Sequence, residues 1–168
     1  MAGFAKRAQE LSKALSSTTE EYSKAALIFY QQGLGEKEVL DRTEATIKMA
    51  KVTGEAVATV SDQLTAIWNN FDNGTKSLEY YVDVITALGA ATASSTDEIS
   101  DGLQKFAAIA ETVGLSYEYA ATALATITSE TRQSADVVGT ALKTLFARME
   151  GLKLGETLED GTTLNQYS

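Results

Sequence analysis

No proline occurs in the 168 residues of this chain, and no other feature constrains the fold more. Proline is the strongest breaker of a helix interior, and Ala, Leu, Glu and Lys, the best helix formers, are abundant here. Helices are therefore favoured along the whole chain. Their ends must be set by hydroxyl caps, by acids in first turns and by glycine. The many Thr and Ser residues are weaker helix formers, so caps and packing must position each helix. An all-α fold of about seven to eight short helices, packed as successive helical hairpins, follows from this pattern.

Phe4 to Leu15 is the first helical stretch. Ser17-Thr18-Thr19-Glu20 has the capping-box spacing and predicts a second helix, ending at Gly33-Leu34-Gly35. Glu36 to Thr53 is the third, with Leu40, Ile47 and Ala50 inward. After Gly54 the fourth carries Val57, Val60, Leu64, Ile67 and Phe71 at 3-4-3-4 spacing. Asp72-Asn73-Gly74 is a turn by its chemistry, with Thr75 the expected next cap, and a fifth helix runs to about Ala93. Ser95-Thr96-Asp97-Glu98 is a second capping box, followed by Ile99, Leu103, Phe106, Ala110 and Val113 at helical spacing. Gly114 ends that helix. Ser116 caps the seventh, with Ala120, Leu124 and Ile127 inward. Ser134 caps the eighth, with Val138, Leu142, Leu145 and Met149 inward. Past Gly151 the pattern fails, and Gly155, Gly161 and Thr162-Thr163 mark a loop-like tail. The expected organisation is an N-terminal helical arm (1–35), a helical packing domain (36–150) and a C-terminal linker (151–168).

Several helix starts look like variants of one unit. With Gly54, Ser94, Gly114 and Arg132 in one column, Ala56, Thr96, Ser116 and Ser134 stand two residues on, and Ala58, Glu98, Glu118 and Asp136 four on. Three of the four units thus pair a hydroxyl with a first-turn acid, where the helix dipole favours negative charge. Small residues recur along these helices and let axes approach closely. Gly139 falls in a predicted helix interior, where glycine is unfavourable relative to alanine. A close helix crossing there is the expected reason.

Histidine and cysteine are absent as well. Nucleophilic triads lack their base, disulfides and thiolate sites are impossible, and the commonest transition-metal ligand is missing. Ser12-Lys13, Ser23-Lys24 and Lys76-Ser77 are sequence neighbours and point to different helix faces. Asp97, Glu98 and Asp101 cluster at one helix start without a calcium-loop pattern, so capping and dipole roles suffice. No enzyme and no cofactor is expected. The net charge of −9 and the absence of a basic stripe argue against nucleic acid. No apolar run approaches the ~20 residues of a membrane helix, and no signal-peptide pattern follows Lys6-Arg7. The abrupt end at Asn165-Gln166-Tyr167-Ser168 reads as that of a piece of a longer protein.

Aromatic residues are few and grouped. Phe71 belongs to its helix stripe, but Trp68 and Tyr80 fall outside theirs, and Phe29-Tyr30 makes its helix apolar on more than one side. Core flanking is one reading. The sharper one is a partner-contact surface at Phe29, Tyr30, Trp68 and Tyr80, since aromatics anchor interfaces.

Five segments taken in order carry a resemblance. They are Gly33-Leu34-Gly35-Glu36, Ala50-Lys51-Val52-Thr53-Gly54, Ile67-Trp68-Asn69-Asn70-Phe71, the span from Phe106 to Ser116, and Gly139-Thr140-Ala141-Leu142-Lys143-Thr144-Leu145-Phe146-Ala147-Arg148-Met149. The chain resembles the conserved helical domain of phage tail tape measure proteins, most strongly from about Leu34 to Tyr167. Val138 stands where an alanine before the glycine is common in that family. The resemblance implies a structural role in the tail lumen, setting tail length during assembly and leaving through the tube on infection. It implies tail-assembly chaperones, the tube protein and distal tail or baseplate proteins as partners, with other copies of the chain as a further one. It places the protein in the virion, and in host cytoplasm during assembly. As one straight helix the segment would span roughly 250 Å, but its glycines and caps predict a folded module instead. A generic helical adaptor, binding partner helices through Phe29-Tyr30 and Trp68, is the alternative.

Overall fold

Eight helices are present among the residues described by the computed structural model, 2–14 and 16–151. They are α1 (Ala2–Ala14), α2 (Thr19–Gln31), α3 (Glu36–Thr53), α4 (Val57–Phe71), α5 (Leu78–Ala91), α6 (Thr96–Thr112), α7 (Tyr117–Thr131) and α8 (Ala135–Gly151). No strand occurs among the described residues, and the all-α class holds. The loop-like tail expected past Gly151 lies outside them.

Local chemistry explains the ends, including three that differ from expectation. The α2 box forms one residue later than Ser17: Glu21 N–H donates to Thr18 Oγ1 (3.1 Å) and Thr18 N–H to Glu21 Oε2 (2.8 Å). The sequence offers two overlapping boxes, and Glu20 is drawn instead to Lys24, one turn on, at 2.7 Å. Thr75 does not cap α5, because Asn73 Oδ1 accepts both its N–H (3.1 Å) and its hydroxyl (2.6 Å) within the turn. Ser77 is the cap, accepting from Tyr80 N–H. Helix α5 stops at Ala91 rather than Ala93, since Thr92 turns its hydroxyl back to Leu88 C=O (2.8 Å) and Ala93 N–H bonds Ser129 Oγ (3.2 Å).

Ser95 N–H bonds Glu98 Oε2 (3.0 Å), so Ser95, not Thr96, is the cap of its unit. Ser116 accepts from Tyr119 N–H (3.2 Å), and α8 begins immediately after Ser134. Gly114 ends α6 in the left-handed region (φ 78°). There Gly114 N–H bonds Glu111 C=O and Leu115 N–H bonds Ala110 C=O, both at 2.9 Å, which is a Schellman closure.

Helix α6 is the axis of the packing. It lies against α3, α4, α5, α7 and α8, and its most extensive contacts join alternate helices, α6 with α8 and α4 with α6. The main core collects Val60, Leu64, Ile67 and Trp68 from α4, Ile99, Leu103 and Phe106 from α6, and Leu124 from α7. Burying each such side chain contributes about 1.5–3 kcal/mol. Ala26 and Phe29 of α2 reach into the same core, while Ala8, Tyr22, Ala25 and Ile47 form a smaller one beside it. Helix α8 departs from its predicted stripe. Val138 and Leu142 are buried, but Leu145 and Met149 are exposed. Phe146 takes the inward place, stacked on Phe106 at 6.4 Å. The larger ring, one residue on from Leu145, sets the rotation of the helix.

Candidate functional site

The four candidate contact residues go to three different places. Phe29 and Trp68 are 0% and 1% exposed and form no surface. Their rings lie 6.2 Å apart at the meeting of α2 and α4. The Arg42 guanidinium of α3 sits 5.1 Å over the Trp68 ring and bonds Glu38 at 2.9 Å, and Trp68 Nε1–H donates to Leu78 C=O (3.3 Å). The partner surface expected at Phe29 and Trp68 is corrected by this burial. Trp68 adjoins Ile67 of the predicted stripe, and a helix covered on two sides buries both.

Tyr30 and Leu27, three residues apart on α2, are exposed. Tyr80 is half-buried at the rim of a cleft between the α4–α5 and α6–α7 connections. The Asp72-Asn73-Gly74 turn and the Ser77 cap place it, and the Ser116 cap places Glu118 opposite. Tyr80 Oη–H donates to Glu118 Oε1 at 2.5 Å, which raises the phenol pKa and holds the carboxyl below its usual range. Lys76 Nζ lies 4.6 Å over the Tyr80 ring.

Behind Tyr80 stand Tyr81 and Tyr117, their rings 4.9 Å apart, with Phe71 5.5 Å from Tyr117. Tyr117 donates to Tyr81 C=O, and Tyr81 Oη lies 3.1 Å from Phe71 C=O. Burial raises both phenols, Tyr81 to about 12. These tyrosines are donors and packing surface, tying α5 to α7.

The acidic helix start holds a second polar arrangement. Glu55, from the α3–α4 connection, meets Asp97 and Asp101 of α6. Gln63 Nε2 donates to Glu55 Oε1 (3.3 Å), and Ser100 Oγ–H donates to Gln63 Oε1 (2.9 Å). Burial first, then Asp97, raises the Glu55 carboxyl pKa. Among the described residues no three His, Cys, Asp or Glu are grouped so as to hold a metal ion, and no helix is long and apolar enough to cross a membrane.

The apolar face left open on α8 is what the periodicity missed. Val137 and Leu145 lie on it. The spacing 138-142-146 was an equal match to a helical stripe, and the size of Phe146 was the available signal.

Fold and surface together define a helical packing module in which many polar side chains serve caps, turns and helix-to-helix ties. The sequence model of the phage-related minor tail protein family matches residues 5–166, and the chain belongs to that family. No curated protein and no solved structure matches it. Its role is structural, in a phage tail, among other tail components.

Proposed function

We propose that this chain is a module of a tape measure protein, contributing to tail-length determination, tail assembly and genome delivery without catalysis. The observation that carries the proposal is the family match across 5–166, nearly the whole helical fold. The fold supports a division of labour. Eight helices folded on one another present a body far shorter than the roughly 250 Å of a single extended helix of this length. Length is therefore measured by other parts of the parent chain, and this module docks at one end of the tail or on an assembly intermediate. Tail-assembly chaperones, the tube protein and the distal tail or baseplate proteins are the partners it would meet, in host cytoplasm and then in the tail lumen.

In-frame deletion of the module from the parent gene, with tail lengths measured by electron microscopy, tests this. Failed or aberrant assembly is expected. Normal assembly with tails shortened strictly in proportion to the deleted residues sinks the docking role.

A further inference from the structure

The turn between α4 and α5 carries a reactive pair. Asn73 is followed by Gly74, and no other asparagine of the chain precedes a glycine. The main-chain nitrogen after an asparagine can close a cyclic imide on the asparagine Cγ. Glycine leaves that nitrogen open to close approach, since it has no Cβ. The surroundings are open as well. A Cβ built on Gly74 would meet nothing within 4 Å, and Asn73, Gly74 and Thr75 are all exposed to water.

Three hydrogen bonds set the groups of such a reaction in place. Gly74 N–H donates to Asp72 Oδ1 at 2.9 Å. Asn73 Oδ1 accepts Thr75 N–H at 3.1 Å and the Thr75 hydroxyl at 2.6 Å. The attacking nitrogen thus has a carboxylate on its proton, and the carbonyl oxygen has two donors where negative charge develops. Both ends of the turn are held. Asp72 N–H bonds Trp68 C=O at 3.0 Å as α4 closes, and Ser77 caps α5.

We propose that Asn73 is a self-modification site, deamidated through a cyclic imide by the turn's own groups. The Gly74 nitrogen bonds to Asn73 Cγ while Asp72 takes its proton. Thr75 N–H and hydroxyl hold the oxyanion on Oδ1. The Cγ–Nδ2 bond then breaks, the proton on Asp72 passes to the departing nitrogen, and ammonia leaves. Water opens the imide at one of its two carbonyls and leaves aspartate or isoaspartate at position 73. Nothing is oxidised or reduced, and water is the one co-reactant. The product adds a negative charge on the cleft that Lys76 and Tyr80 also line. The isoaspartate form puts one more carbon into the main chain ahead of α5. The site rests on this turn alone and stands or falls independently of the tape measure reading.

Peptide mapping by mass spectrometry, on the folded chain kept for days at pH 7, reads the reaction directly. Residue 73 should convert to separable aspartate and isoaspartate peptides, while Asn69 and Asn70 stay intact. Conversion should run at least about tenfold faster in the folded chain than in guanidinium chloride, the low side of what a positioned base contributes. Asp72→Asn keeps an oxygen for Gly74 N–H but removes the base. It should abolish the advantage of the folded chain and leave the unfolded rate as it is. Thr75→Val lacks the hydroxyl and should slow folded conversion at least about threefold. Circular dichroism on each variant confirms an unchanged helical fold. An Asn73 that stays intact, or that converts no faster folded than unfolded, overturns the proposal. So does an Asp72→Asn variant that converts like the parent.

Discussion

A Cβ atom built on Gly139 would lie 2.6 Å from the carbonyl oxygen of Gly102 and 3.1 Å from its Cα. Helices α6 and α8 therefore cross backbone to backbone, with glycine on both sides of the contact. The neighbour is main chain and cannot swing away. Alanine in a helix interior gains roughly 0.5–1 kcal/mol over glycine, but overpacking costs about 1–3 kcal/mol, so the clash wins. Gly139→Ala should lower stability in urea unfolding, and Gly139→Leu more so. Gly102→Ala should cost less, because the nearest atoms there are the Leu124 methyls at 2.6 and 2.9 Å, the end of a side chain, and the nearest main-chain atom, Ala135 O, is at 3.0 Å rather than 2.6 Å. An unchanged or raised melting temperature for Gly139→Leu would remove the close crossing as the reason for this glycine.

Gly114 and Gly35 separate two other demands on glycine. Neither has a heavy atom within 4 Å of a built Cβ, but Gly114 is left-handed (φ 78°) and Gly35 is extended (φ −70°). Gly114→Ala should cost about 1–2 kcal/mol, the penalty of a Cβ in the left-handed region. Gly35→Ala should stay within about 0.5 kcal/mol, as surface changes do. Thermal melts of the two variants side by side check the contrast, and equal losses would mean that conformation is not what Gly114 supplies.

The helices were legible because their signals are local. Ser95 with Glu98, Ser116, Ser134 and the closing Gly114 act within one turn, and each does its expected job. The Gly139 crossing was legible for a related reason: an unfavourable residue inside a helix implies a neighbour that requires it. The aromatic residues were not legible. Whether Trp68 faces solvent or Arg42 depends on where α2 and α3 lie, and no spacing within α4 encodes that. The rotation of α8 was likewise undecided, since stripes running through Leu145 or through Phe146 both fit the helical period. Contact with Phe106 of α6 resolved it.

Trp68 and Tyr30 should now behave as opposites. Trp68→Ala removes a fully buried ring, the bond to Leu78 C=O and the surface under Arg42. The expected loss is about 3–5 kcal/mol, as for other large aromatic truncations in cores. Tyr30 is exposed, and Tyr30→Ala should change stability by less than about 0.5 kcal/mol. Denaturant titrations of both give the comparison. A mild Trp68→Ala variant would mean that the α2–α3–α4 junction contributes little to folding.

Glu55 gives a pH dependence with a definite sign. Its folded carboxyl titrates above the ordinary value of 4.5, because burial and the Asp97 and Asp101 charges oppose ionisation. As pH rises from 4.5 towards the folded pKa, the unfolded chain gives up this proton first. The folded state then binds more protons, so stability attributable to Glu55 falls with rising pH and stays low above the folded pKa. Paired carboxylates such as Glu20 and Glu118, whose pKa values are lowered, act in the opposite sense. Only the difference between variant and parent isolates the Glu55 effect. Glu55→Gln keeps an oxygen for Gln63 and removes the charge, so its advantage over the parent should be larger at pH 7 than at pH 4. Urea unfolding at the two pH values measures it, and a variant with the same offset at both would show that the Glu55 charge is not strained in the folded protein.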